Sequence, residues 1–198
     1  IKDLFRNTKS YENQEIKIEG WVRTVRDSKT FGFIELNDGS FFNNVQIVFN
    51  DNLSNFDEIC KLTIGSSIAA TGKLVLTPDA KQPFEIQATS VTVDNLSSQD
   101  YPLQKKRHTF EYLRTVAHLR PRTNTFNAIF RIRSVAAFAI HEYFQNNGYV
   151  YLNSPIITCA DCEGSAEMFK LTTLDLDKPL PQKDGQTDFS QDIFGKKA

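Results

Sequence analysis

Cysteine is scarce in this chain: three residues in 198, at positions 60, 159 and 162. An odd number without framework spacing does not build a disulfide scaffold and points to a reducing, cytoplasmic compartment. Long hydrophobic runs are missing too. None approaches the roughly 20 residues a bilayer-spanning helix needs, and the N-terminus lacks the build of a signal peptide, so no membrane is expected. The one methionine is Met168, and Ile1 stands where an initiator would, so a trimmed start is expected. Charge of one sign is also lacking. With 23 Lys/Arg against 24 Asp/Glu the net is −1, which by itself gives no hint of a polyanionic partner. What remains, 40% hydrophobic and 24% charged residues, is ordinary for a globular protein that can bury a core.

The distribution of charge says more than its sum. Residues 1–100 carry ten Lys/Arg and fourteen Asp/Glu. Residues 101–122 carry Lys105, Lys106, Arg107, Arg114, Arg120 and Arg122 against Glu111 alone. The rest carries seven basic and nine acidic residues. A basic connector between two mildly acidic segments suits a phosphate-contacting hinge, and equally suits a solvated linker helix.

The first hundred residues punctuate like a small all-β domain. Residues 15–26 alternate with the period of two of a half-buried strand. Residues 31–36 follow, closed by the turn signal Asn37-Asp38-Gly39-Ser40, then residues 44–49. Leu53, Phe56, Ile59 and Cys60 fall at helical spacing within 52–62, and strands are expected at 66–76 and 84–93. Three strands, a helix and two strands is the order of a five-stranded OB barrel. A helix is expected over 109–119, interrupted at Pro121. A longer one over 122–147 presents a broad apolar face (Phe126, Ile129, Phe130, Ile132, Val135 and beyond) and is stopped by Gly148 as a left-handed cap. His141 on that helix reads as packing or a dimer contact. Residues 149–152 read as a strand stopped by Pro155, and the tail after Thr173 as polar and weakly periodic, without a closing element. The fold class is therefore α+β, divided as 1–100, 101–122 and 123–198.

An OB barrel, a long helix and Gly148-Tyr149-Val150-Tyr151-Leu152-Asn153-Ser154-Pro155 resembles the layout of class IIb aminoacyl-tRNA synthetases, with the helix and strand as motif 1. His118-Leu119-Arg120-Pro121-Arg122-Thr123 is similar to the segment opening the catalytic domain of the asparaginyl and aspartyl enzymes. Asp161-Cys162-Glu163-Gly164-Ser165-Ala166-Glu167-Met168-Phe169 looks asparaginyl rather than aspartyl, and residues 188–196 match an insertion of bacterial asparaginyl enzymes. Essentially the whole chain resembles the N-terminal part of that family.

The resemblance implies an anticodon-binding OB-fold domain, a basic hinge and the truncated start of a catalytic domain. It places Phe33, Gln46 and Arg26 on positions that read the anticodon. Phe33 would stack on the central uridine, Gln46 would bond its edge, and Arg26 would hold a phosphate or base edge. Gly32, beside Phe33, is expected to let the base approach. Phe41-Phe42-Asn43-Asn44 lengthens the loop before Gln46 relative to the aspartyl spacing. Trp21 is expected in barrel packing. Glu163 falls on the glutamate of a loop that closes over the amino acid and binds its ammonium group. Phe130, Gly148 and Pro155 fall on the dimer-forming motif 1.

In the full-length enzyme the partners are tRNA, asparagine and ATP, with Mg²⁺. Motifs 2 and 3 have no counterpart in the sequence, so no catalytic residue and no bound cofactor is expected here. Cys159 and Cys162 spell half a zinc site without a second pair, so no metal is expected either. Two alternatives differ in kind. One is a stand-alone OB-fold nucleic-acid-binding module with a helical dimerisation element, and the other is an aspartyl-type synthetase. The residue 161–169 string and the 188–196 insertion speak against both.

Overall fold

The computed structural model describes residues 1–158 and 169–196. Its contacts cluster into two units, residues 1–138 and 139–198, taken separately below.

The first unit is organised by five strands, β1 (Glu15–Asp27), β2 (Phe31–Asn37), β3 (Val45–Asn50), β4 (Ser67–Leu76) and β5 (Phe84–Asn95). They close in the order β1-β2-β3-β5-β4. All pairs are antiparallel except β3 with β5, which run parallel at Ile47↔Ile86 and Val48↔Gln87. Closure follows from the alternation. Ile34 and Leu36 of β2, Val45, Ile47 and Phe49 of β3, Ile68 and Leu74 of β4, and Phe84 and Ile86 of β5 all point inward and are buried. Each such side chain contributes about 1.5–3 kcal/mol, and a closed sheet leaves no edge unpaired. Helix α1 (Lys2–Arg6) buries Leu4 and sets Phe5 against Phe84 at 4.9 Å. Helix α2 (Phe56–Cys60) contributes the fully buried Ile59.

The chain leaves the barrel through a polar knot. Buried Ser66 Oγ accepts the Ser97 amide (3.0 Å), and Thr63 Oγ1 donates to the Ser97 carbonyl (2.7 Å). Beyond it Leu103 and Leu113 are buried. Helix α3 (Phe110–Thr115) is capped by Thr109, whose hydroxyl accepts the Tyr112 amide. It is shorter than the 109–119 expected. The apolar Leu113 is held down, but the residues after Thr115 turn into a 3-10 turn, Arg120–Arg122, that accommodates Pro121.

Helix α4 (Asn124–Asn146) matches its expected span. The Thr123 hydroxyl accepts the Phe126 amide at its start. At its end Gly148 has φ +83, its amide bonds Gln145 O (3.0 Å), and Tyr149 N bonds Phe144 O (3.1 Å), the paired bonds of a Schellman stop. The motif 1 strand expected at 149–152 is not formed. A strand exists only by pairing, and no neighbour ladders with these residues among those described.

In the second unit a two-stranded hairpin, β6 (Gln182–Lys183) and β7 (Gln186–Thr187), turns at Asp184 (φ 53) and Gly185 (φ 77). Two positive φ values in a row are the geometry of a primed hairpin turn, which Asp-Gly favours. Asp192 Oδ1 then accepts the Thr173 amide (2.7 Å) and hydroxyl (2.9 Å) and the Ile193 amide (2.8 Å). The Thr172 hydroxyl, the Thr173 amide and the other donors around it hold the Asp192 carboxyl down at about 2. The tail thus carries a closing element that its polar composition did not suggest.

Candidate nucleic-acid interface

Inward burial of alternate residues fixes what the outer face of the barrel carries. With Gly32, Ile34 and Leu36 inward, Phe31, Phe33 and Glu35 of β2 face out. With Val45, Ile47 and Phe49 inward, Gln46 and Val48 of β3 face out, and Glu85 and Gln87 of β5 do likewise. Register brings them together. Arg26 lies opposite Phe33, Phe33 opposite Val48, and Glu35 opposite Gln46.

Phe33 is therefore a half-buried surface ring and not a core residue, with Phe31 edge-on at 5.6 Å. Gln46 Nε2 donates to Glu85 Oε2 (3.2 Å), which leaves the amide carbonyl and one amide hydrogen for a ligand. Arg26 reaches Glu35 Oε1 at 3.5 Å, while Asn44 Nδ2 donates to Glu35 Oε2 at 3.1 Å. The Arg26 pair is solvent-screened and weak enough to be exchanged for a ligand. All three residues singled out from the sequence thus share one face. Glu35, Asn44 and Glu85, which hold them, were missed. Their outward parity was readable, but the parallel β3–β5 pairing that brings Glu85 to Gln46 was not.

Gly32 does something other than expected. A Cβ there would collide with the Phe49 ring and come within 2.9 Å of Arg26 O, so the missing side chain makes room for the core and not for a base. Neighbouring strand residues face opposite sides, so Gly32 and Phe33 cannot serve one ligand. Trp21 also departs from expectation. It is 44% exposed, with the Arg122 guanidinium 5.2 Å over its ring, so it packs on the outside of the barrel.

Beside this face a cleft of about 800 Å³ opens between the barrel and residues 103–125. Arg23, Lys105, Lys106, His108 and Arg122 line it, with Glu35 and Glu111 also at its wall. Arg23 Nη1 donates to the Arg122 carbonyl, and Arg122 Nη1 reaches Tyr101 Oη at 3.3 Å. Burial, with Arg122 nearby, lowers the Arg23 pKa. Neither arginine has a carboxylate partner within salt-bridge distance among the described residues, an arrangement that favours an incoming anion.

The remaining candidates are dispersed. Phe130 is half-buried, 5.9 Å from the Phe126 ring and 5.7 Å under the Arg120 guanidinium. Gly148 is the stop of α4, and Pro155 is exposed outside any element. His141 is exposed, with its ring edge-on to Tyr151 at 4.7 Å. Glu163, Cys159 and Cys162 lie outside the described residues. Among the described residues no three His, Cys, Asp or Glu side chains gather in one place. No helix among them is long and apolar enough to cross a membrane.

Comparison with known proteins places these features. Residues 16–94 match the profile of the OB-fold nucleic acid binding domain, and residues 109–181 that of the class II tRNA synthetases (D, K and N). The chain is 62% identical over 197 residues to an asparagine–tRNA ligase of Acetivibrio thermocellus, covering 99% of this chain and 42% of that protein. It is 60% identical over 198 residues to the same enzyme of Clostridium tetani, covering 100% of this chain and 43% of that protein. The chain thus spans less than half the length of these curated relatives. Asparaginyl-tRNA synthetase of Pyrococcus horikoshii, solved with asparaginyl-adenylate, superposes with a TM-score of 0.74 at 24% identity, over 85% of this chain and 39% of that one. At that identity the likeness speaks for the fold.

Proposed function

We propose that the chain belongs to the asparagine–tRNA ligase family of class II synthetases and that the whole protein attaches asparagine to its tRNA in an ATP-dependent reaction. Residues 1–100 form the anticodon-binding domain, 101–122 the hinge, and 123–198 the start of the catalytic domain. The observation that carries the reading is the outward face shared by Arg26, Phe33 and Gln46, with the Gln46 amide held by Glu85.

A uracil offers one donor, N3–H, between two carbonyl acceptors. The free carbonyl and remaining amide hydrogen of Gln46 complement that edge, whereas a cytosine presents an acceptor at N3 and repels the carbonyl. Phe33 stacks on the base, worth about 1–3 kcal/mol with little base preference. Selection therefore rests on Gln46 and affinity on Phe33. Arg26 trades its exposed pairing with Glu35 for a phosphate or base edge. The cleft around Arg23 and Arg122 receives backbone phosphates of the adjoining stem.

Glu163 binds the ammonium group of asparagine. The apolar face of α4, with Phe130, Gly148 and Pro155, builds a homodimer, and the protein works in the cytoplasm. ATP and Mg²⁺ are handled by the whole enzyme, since motifs 2 and 3 have no counterpart in this sequence. Transfer of labelled asparagine to tRNA by the full-length protein tests the reading. Charging with asparagine and not with aspartate, lost when the central anticodon U is changed, is the expected result. Preferential charging with aspartate would overturn it.

A further inference from the structure

The loop between the two base-reading strands does not end in solvent. Arg131, on the second turn of α4, donates Nη2 to the carbonyl of Gly39 (2.7 Å) and Nε to Asn127 Oδ1, one turn back (2.7 Å). Arg131 as a residue is half-buried and makes no ion pair among the described residues, and its bond to the Gly39 carbonyl lies on the exposed side. Gly39 holds φ +80, a left-handed conformation that turns its carbonyl toward the arginine.

On the other side of the Gly39 Cα, the preceding peptide begins a run of hydrogen bonds toward the barrel face. The Gly39 amide donates to Asn37 Oδ1 (2.8 Å), and Asn37 Nδ2 to Asn44 Oδ1 (3.0 Å). Asn44 Nδ2 donates to Glu35 Oε2 (3.1 Å), and Glu35 Oε1 faces Arg26 (3.5 Å). The turn itself is stiffened by Asp38 Oδ1, which accepts both the amide and the hydroxyl of Ser40 (2.8 and 2.7 Å). A chain of polar contacts thus begins at α4 and ends on the face that carries Arg26, Phe33 and Gln46.

We infer that Arg131 is a positioning residue that couples the base-reading face of the barrel to α4 through the β2–β3 loop. The inference rests on the anticodon-reading role proposed above. A ligand that draws Arg26 away from Glu35 frees one oxygen of that carboxylate, and the shift passes through Asn44 and Asn37 to the Asp38–Gly39 peptide, the neighbour of the one whose carbonyl Arg131 holds. In return, Arg131 fixes the loop and so the relative placement of Phe33 and Gln46, the strands on either side of it. Networks of this kind change coupling only where both ends bias the same element. Here that element is the loop of residues 37–44.

The test compares this chain with its Arg131→Ala and Arg131→Lys variants. Each is titrated with the asparagine anticodon stem-loop (GUU) and with the same loop bearing C for the central U, at one fixed salt concentration. The ratio of the two affinities is the readout. A merely structural arginine would weaken both loops alike and leave the ratio unchanged. The expected result is a fall in the ratio of about threefold to thirtyfold in Arg131→Ala, partly restored in Arg131→Lys, which keeps a cationic donor but not the guanidinium fork. Should Arg131→Ala fail to fold, Arg131→Lys carries the comparison, with a smaller fall expected. A ratio equal to wild type overturns the coupling while leaving base reading intact. No discrimination by the wild-type chain itself overturns base reading, and the coupling with it.

Discussion

The barrel and α4 solve the same problem in opposite ways. The five strands gather Ile34, Leu36, Ile47, Phe49, Phe84 and Ile86 into one dry interior, each at most 1% exposed. In α4 no residue is buried, and Ile132, Val135 and Phe138 are about two-thirds exposed (69, 68 and 67%). A closed sheet satisfies its backbone and buries one face using only itself. A helix satisfies its backbone alone, but its apolar face needs a second surface. Completeness of hydrogen bonding and completeness of burial are therefore separate achievements, and only the barrel has both.

The comparison can be broken most sharply with one substitution in each region. Phe49→Ala, with its ring in the core, should cost about 3–5 kcal/mol of barrel stability in urea unfolding. Phe138→Ala, on the face of α4 that a single chain leaves open, should stay within about 0.5 kcal/mol at concentrations where the chain is monomeric. Equal costs would mean that the α4 face is covered in solution. A smaller loss, about 1–3 kcal/mol, is expected from Gly32→Ala, whose methyl group would press on the same Phe49 ring. Were Gly32 a base-approach position, stem-loop affinity would drop with stability unchanged.

The second unit gives a gentler, local contrast that depends on pH. Asp192 is held at about 2, below the 3.8 of an ordinary aspartate. A depressed carboxyl stabilises its folded segment fully above pH 4 and progressively loses that contribution as pH falls toward 2. Protection of the Thr173 and Ile193 amides, relative to their intrinsic exchange rate at each pH, should therefore fall across that window in wild type. Asp192→Asn should flatten the profile. Protection that stays constant in wild type from pH 4 to pH 2 would count against the clasp.

Where the sequence spoke clearly, it spoke through period and punctuation. The barrel strands were legible to within about two residues because core and solvent alternate along each of them. Helix α4 was legible because Gly148 ends it in the one conformation other residues resist. Residues 149–152 misled because β-rich composition is not a strand until something pairs with it. The 182–187 hairpin was overlooked although Asp184-Gly185 announces its turn.

In the candidate site, Arg26, Phe33 and Gln46 came from the family resemblance, and strand alternation with the barrel register is what sets them on one face. Gly32 has the opposite parity from Phe33, and the same rule assigns it to the core. Glu85 stayed hidden because it meets Gln46 across 39 residues, through a parallel pairing that no local pattern encodes.

The central claim is that the outer face of the barrel reads the middle base of the anticodon. Its most direct test is the affinity of wild type and Phe33→Ala for labelled stem-loops at fixed salt. The GUU loop, the aspartate loop GUC and a loop with its central U replaced would be compared. The account predicts that GUU and GUC, which share the central U, bind more tightly than the third. It also predicts that replacing that base and removing the Phe33 ring each cost about 1–3 kcal/mol. Equal binding of all three loops, with Phe33→Ala indistinguishable from wild type, would contradict it.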